Sequence, residues 1–198
     1  MSANTYPEKA AIYALLGRIF VSELDRQSLE ALKDQSISSV FEKIQGGFQD
    51  YLENTRWDEV QVEQLASEYC HLFILPQKSS LSLRASHWMK GEEANNIKQL
   101  ETIISGLDLD DSLLSAGFAN MPDDHLGVLL YFMSSIYASE DAEIQKLGAS
   151  IAQLTLLPWI FKFNEKLSAT TTNPVYLASG KLLLELLDFD MALCTPSM

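Results

Sequence analysis

Apolar residues recur three and four positions apart through most of this chain, and no stretch alternates with the two-residue period of a half-buried strand. The pattern predicts an all-α protein. A first helix over residues 7–24 sets Ile12, Leu15, Leu16, Ile19, Phe20 and Leu24 along one side. Shorter helices are predicted at 28–33 and 39–52, the second weakened by Gly46 and Gly47. Asp58 is a good N-cap for a stronger helix, which carries Val62, Leu65, Ala66, Tyr69, Leu72 and Phe73 on one stripe until Pro76 stops it.

Residues 77–91, "QKSSLSLRASHWMKG", are polar with isolated large apolar residues and no clean period, so they read as a long connection and a candidate hinge. A helical stretch at 92–104 and a break at Gly106 precede "NMPDDHLGVLLYFM", whose helix should reach about Ala138. Here Asn120 reads as the cap and Pro122 as part of the first turn, with Asp123 and Asp124 facing the positive end of the helix dipole. The next helix should run from Ser139 or Glu140 through Leu156, and Pro158 must kink it or restart it. Asn173 as cap and Pro174 as first residue open a last helix that turns Leu182, Leu183, Leu186 and Leu187 inward.

At 198 residues, 47% of them hydrophobic and 21% charged, the chain suits a single helical domain spanning 1–198. Its formal net charge of -13 repels phosphate backbones, which argues against nucleic acid and favours a basic peptide or protein patch. The N-terminus lacks the pattern of a secretory signal, and the apolar run near the C-terminus, broken by Lys181, Glu185 and Asp188, falls short of the roughly 20 residues of a membrane span. A cytoplasmic protein without stable membrane insertion is expected. Cys70 and Cys194 form no disulfide framework and read as buried or incidental thiols.

An acid beside a histidine invites a catalytic reading, but no G-x-S-x-G, H-E-x-x-H or phosphate-binding glycine loop accompanies Asp124 and His125. No catalytic residue, metal ligand or cofactor is therefore assigned. The capping pattern accounts for Asn120, Pro122 and both acids, and leaves His125 unexplained, since a protonated histidine is disfavoured at a helix N-terminus. A helix start and a binding site both remain open there. Tyr69, Leu72 and Phe73 form a ridge that is either core or one wall of an apolar peptide groove. Acids outnumber the single base, Lys98, throughout residues 92–143, a distribution that could recognise arginine or simply be solvated.

Together "EYCHLFILP", "MPDDHLGVLLYFM" and "LLPWIFKFNEKL" followed by "NPVYLASGKLLLELL" resemble the TorD/DmsD/NarJ family of cytoplasmic redox-enzyme maturation chaperones, in the family's order and at about its spacing. Met121 stands where the family signature has Glu, and "KSSLSLRASHW" replaces a proline-rich part of the connection. The resemblance implies a single-domain helical bundle with no enzymatic activity. Its partner would be the twin-arginine signal peptide, and the body, of a molybdenum-containing reductase of the dimethyl sulfoxide or trimethylamine N-oxide type. That client is held until its cofactor is inserted, by a chaperone that is a monomer or a homodimer. Family peptide-binding positions carry over to Tyr69, Leu72, Phe73, Ser86, Trp88, Pro122, Asp123, Asp124 and His125. On this reading Asp124 accepts an arginine or orients His125, and Trp88 joins the apolar lining. Two alternatives stand beside it: an assembly chaperone that recognises folded enzyme surface without the leader, and a small nucleotide-binding enzyme or regulator using Asp124 and His125.

Overall fold

The computed structural model describes residues 6–91, 96, 99 and 121–194. Among these the protein is a helical bundle around one hydrophobic core, with a single isolated β-bridge, Arg84 to His125, as its extended pairing. The helices are α1 (Tyr6–Val21), α2 (Arg26–Leu32), α3 (Gln35–Ile44), α4 (Phe48–Asn54), α5 (Glu59–Tyr69), α6 (Ala85–Trp88), α7 (Leu126–Ala138), α8 (Ala142–Thr155), α9 (Leu157–Thr170) and α10 (Pro174–Cys194). None of them is long and apolar enough to cross a membrane.

The central pair is α1 against α7, and small residues let the two come close. A Cβ on Gly127 would lie 2.8 Å from the Val21 Cα, and one on Gly17 would lie 2.9 Å from the Tyr131 ring. The Ser134 hydroxyl donates to the Ala10 carbonyl at 2.8 Å. These pairings run in opposite directions along the two helices, which are therefore antiparallel. At the far end of α1, Lys9 and Asp190 form an ion pair with both side chains essentially excluded from solvent. Tyr13 donates to the second Asp190 oxygen at 2.6 Å, and the Lys9 ammonium also lies over the Tyr137 and Phe189 rings. A buried charge needs this degree of compensation. The contact ties the first helix to the last.

Residues 39–52 form two helices instead of one. Asp34 caps α3 through the Ser36 N–H, and the chain then breaks at Gly46 and Gly47, where Gly47 has φ +84°. That left-handed turn suits glycine. Glu42 reaches across the break and accepts from the Gly47 and Gln49 N–H groups, both at 2.9 Å.

Asp58 caps α5 as expected, accepting from Val60 and Gln61. After Tyr69 the helix widens into a π-helical turn, Cys70–Ile74, which ends just before Pro76. The Glu68 carboxylate leaves α5 to accept from the Thr171 hydroxyl and, at 2.8 Å, from the Asn173 side-chain amide. Asn173 in turn caps α10 through the Val175 N–H. At Pro158 the chain restarts, so α8 ends at Thr155 and α9 begins at Leu157. Leu182, Leu183, Leu186 and Leu187 all face the core.

Residues 77–91 are more ordered than their lack of periodicity suggests. Leu81, Leu83, Ala85 and Met89 are buried, and the Leu81 N–H donates to the Leu72 carbonyl at 2.7 Å. The helix expected at 92–104, the break at Gly106 and the Asn120 cap fall outside the described residues, apart from Asn96 and Gln99, both helical.

Candidate functional site

The β-bridge builds the candidate site by joining residues 84–88 to residues 122–126. Leu126 N–H donates to the Leu83 carbonyl at 2.7 Å and Ala85 N–H to the Asp124 carbonyl at 2.9 Å. A turn closed by His125 N–H on the Pro122 carbonyl then points the Asp124 side chain at the start of α6. Its Oδ2 accepts from the Ser86 N–H and its Oδ1 from Arg84 Nε, both at 3.0 Å. The carboxylate of one segment thus caps the short helix of another, 38 residues away in sequence.

This arrangement corrects the expected helix start. Pro122, Asp123 and Asp124 precede α7, and the N-cap is His125, whose Nδ1 accepts from the Gly127 N–H at 3.2 Å. The bridge holds His125 in extended backbone, so helical geometry begins only at Leu126. An imidazole that accepts at Nδ1 carries its proton on Nε2, which makes His125 a neutral cap. Its pKa is lowered from the ordinary 6.5, chiefly by burial, with Arg84 adding to the effect and Asp124 opposing it. Burial by itself would raise the Asp124 carboxyl, but hydrogen bonds from Ser86 and the Arg84 guanidinium outweigh it and hold its pKa below 3.8.

Around this corner Ser86, Pro122 and Asp123 are exposed, and His125 and Trp88 half-buried. The Trp88 indole N–H donates to the Ser82 carbonyl at 2.8 Å. Its ring stacks on Trp159, meets Phe163 edge-on and lies under the Lys166 ammonium. Phe163 touches Phe20, and Phe20 touches Phe73, so rings run continuously from the corner to the Cys70–Ile74 turn.

Tyr69 and Leu72 lie in the core, 2% and 4% exposed, and do not line an open groove. The Tyr69 hydroxyl donates to the Phe20 carbonyl at 3.0 Å, and burial pushes its pKa far up. Phe73 is half-buried and packs edge-on against Tyr69 and Tyr176. Ser86 and Asp124 therefore meet directly, with His125 next to Asp124 in the chain, while Tyr69, Leu72 and Phe73 belong to a separate aromatic cluster around Phe20 and Tyr176. The half-buried Cys70 donates to Glu23.

Arg84 is the partner of Asp124 that the sequence alone did not reveal. It was visible only as a base in a polar connection, and its partner lies 40 residues on. Among the described residues, no three His, Cys, Asp or Glu side chains gather where a metal ion could sit. A separate apolar cleft of about 440 Å³, lined by Ile12, Leu15, Ile37 and Val40, opens beside α1 and α3 and shares no residue with the corner.

The bridged corner of the helical bundle thus brings together a carboxylate, a histidine and an aromatic series. Residues 34–165, a span holding the whole corner, match the sequence model of the nitrate reductase delta subunit family, and the chain belongs to that family. Among curated proteins it is 27% identical to chaperone protein TorD of Escherichia coli O157:H7 (strain EC4115 / EHEC), over 96% of this chain and 98% of that one. It is also 27% identical to chaperone protein TorD of Shewanella sp. (strain ANA-3), over 89% of this chain and 88% of that one.

Proposed function

We infer that the protein is a redox-enzyme maturation chaperone of the cytoplasm that binds the twin-arginine leader of a molybdenum-containing reductase before export. Relatives named as chaperones along almost the full chain support the general role, which calls for no chemical turnover. The leader reading is carried by one observation: the Asp124 carboxylate already holds a guanidinium, that of Arg84. A planar cation with several N–H groups suits such a carboxylate. His125 would offer Nε2–H as a second recognition donor, and the half-buried Trp88 would add apolar surface from the adjoining α6. The net charge of -13 favours approach of the basic end of such a peptide.

The test is calorimetric titration of a synthetic peptide with two adjacent arginines and a following apolar segment. Asp124→Asn and His125→Ala should each weaken binding by about 2 kcal/mol, roughly thirtyfold, as loss of a central contact does. Equal affinity of both variants and wild type would remove the corner from the binding site.

A further inference from the structure

We propose that Arg84 is an internal occupant of the Asp124 seat, so that a client guanidinium binds by exchange with it and Arg84 sets the affinity of that step. This rests on the reading above that the seat takes a leader arginine.

The two oxygens of Asp124 are held in different ways. Oδ2 accepts the Ser86 main-chain N–H, which is fixed at the start of α6 by the adjoining β-bridge and cannot leave without opening the fold. Oδ1 accepts Arg84 Nε, the innermost of the guanidinium nitrogens. Among the described residues that is the one hydrogen bond recorded for the Arg84 side chain. The Asp124 side chain is 5% exposed and that of Arg84 is 55% exposed, so Arg84 forms the solvent side of the pair. Rotation of one exposed side chain uncovers a carboxylate that is otherwise closed.

Arg84 also answers a need of the empty protein. Ser86 gives the carboxylate hydrogen bonds from its side chain and main chain but no positive charge, and the Arg84 guanidinium supplies that charge from the solvent side until a client arrives. Exchange replaces one guanidinium by another. A client arginine loses only the modest stabilisation of a half-exposed pair, about 0–1 kcal/mol, which caps the effect of Arg84 near fivefold. A competitor of that strength lowers affinity without abolishing binding, as suits a chaperone that must hand its client on.

The experiment titrates full-length wild type, Arg84→Ala and Arg84→Lys with the two-arginine peptide and with a copy in which both arginines are glutamine. Arg84→Ala should bind the arginine peptide three- to fivefold more tightly than wild type, with Arg84→Lys between them. The glutamine peptide should bind all three proteins alike. The advantage of Arg84→Ala should shrink as salt is added, because only in that variant does binding create an ion pair instead of exchanging one. Arg84→Ala binding the arginine peptide no more tightly than wild type would overturn the proposal, as would loss of affinity from a loosened α6. If wild type and Arg84→Ala both prefer the arginine peptide to the same extent, Arg84 has no part and the leader reading stands. If neither protein distinguishes the two peptides, the leader reading falls and takes the role of Arg84 with it.

Discussion

The buried pair of Lys9 and Asp190 makes the sharpest energetic prediction, because both groups sit where solvent cannot replace a lost partner. Asp190→Ala leaves the Lys9 ammonium among the Tyr137 and Phe189 rings and removes the acceptor of the Tyr13 hydroxyl. Stranding one member of a buried pair costs about 3–5 kcal/mol. For a chain of this size each kcal/mol moves the unfolding midpoint by roughly 2–4 °C, so the variant should melt about 6–20 °C below wild type. Lys9→Met strands the carboxylate instead and should also destabilise, although Tyr13 still donates to it at 2.6 Å. Replacing both, as Lys9→Met with Asp190→Leu, removes the desolvated charges together. That double variant still leaves the buried Tyr13 hydroxyl without its acceptor, so it should lie about 1–3 kcal/mol below wild type but above Asp190→Ala. Thermal unfolding followed by circular dichroism, with urea midpoints as a second measure, reads the whole cycle. The reasoning fails if Asp190→Ala melts within 2 °C of wild type, or if the double variant loses the sum of the two singles.

The elements legible in the sequence were those whose cause is local. Asp58 and Asn173 cap their helices because a short polar side chain reaches an N–H two or three residues on, a relation that spacing alone displays. Gly46 and Gly47 signalled weakness, but a full break required Glu42 to take over the freed N–H groups, and one-dimensional periodicity does not reveal that contact. The corner was half legible for the same reason. Asp124 and His125 stood out by type, yet their roles are set by strand-like pairing with residues 84–86, which lie about 40 positions earlier. A cap supplied from outside the helix leaves no trace in the helix's own sequence. The ridge of Tyr69, Leu72 and Phe73 was open to two readings because periodicity says which face is apolar and not what covers it. The structure covers Tyr69 and Leu72 with the core and leaves Phe73 at its margin.

Two further predictions concern the helix that leaves this corner. Gly127→Ala sets a methyl 2.8 Å from the Val21 backbone, which cannot rotate aside, so α1 and α7 must separate, at a cost of about 1–3 kcal/mol in urea unfolding. An unchanged midpoint would mean that the two helices do not approach as closely as described. The second is a pH dependence carried by His125, whose folded pKa lies below 6.5 because burial disfavours the imidazolium. As pH falls through 6.5 the unfolded chain takes up this proton before the native one does. The stabilising contribution is therefore whole above 6.5 and declines as pH drops toward the folded value, below which it declines no further. Protonation in the native state would also remove the Nδ1 lone pair that caps Gly127 and set a positive charge at the positive end of α7. Asn in place of His125 keeps a capping oxygen and has no proton to gain. Urea midpoints at pH 7.5 and 5.5 should therefore differ less in His125→Asn than in wild type, with His71 and His87 common to both. The same pH dependence in both proteins would show that His125 is not the half-buried neutral cap described above, and that the corner does not hold its imidazole as a donor at Nε2.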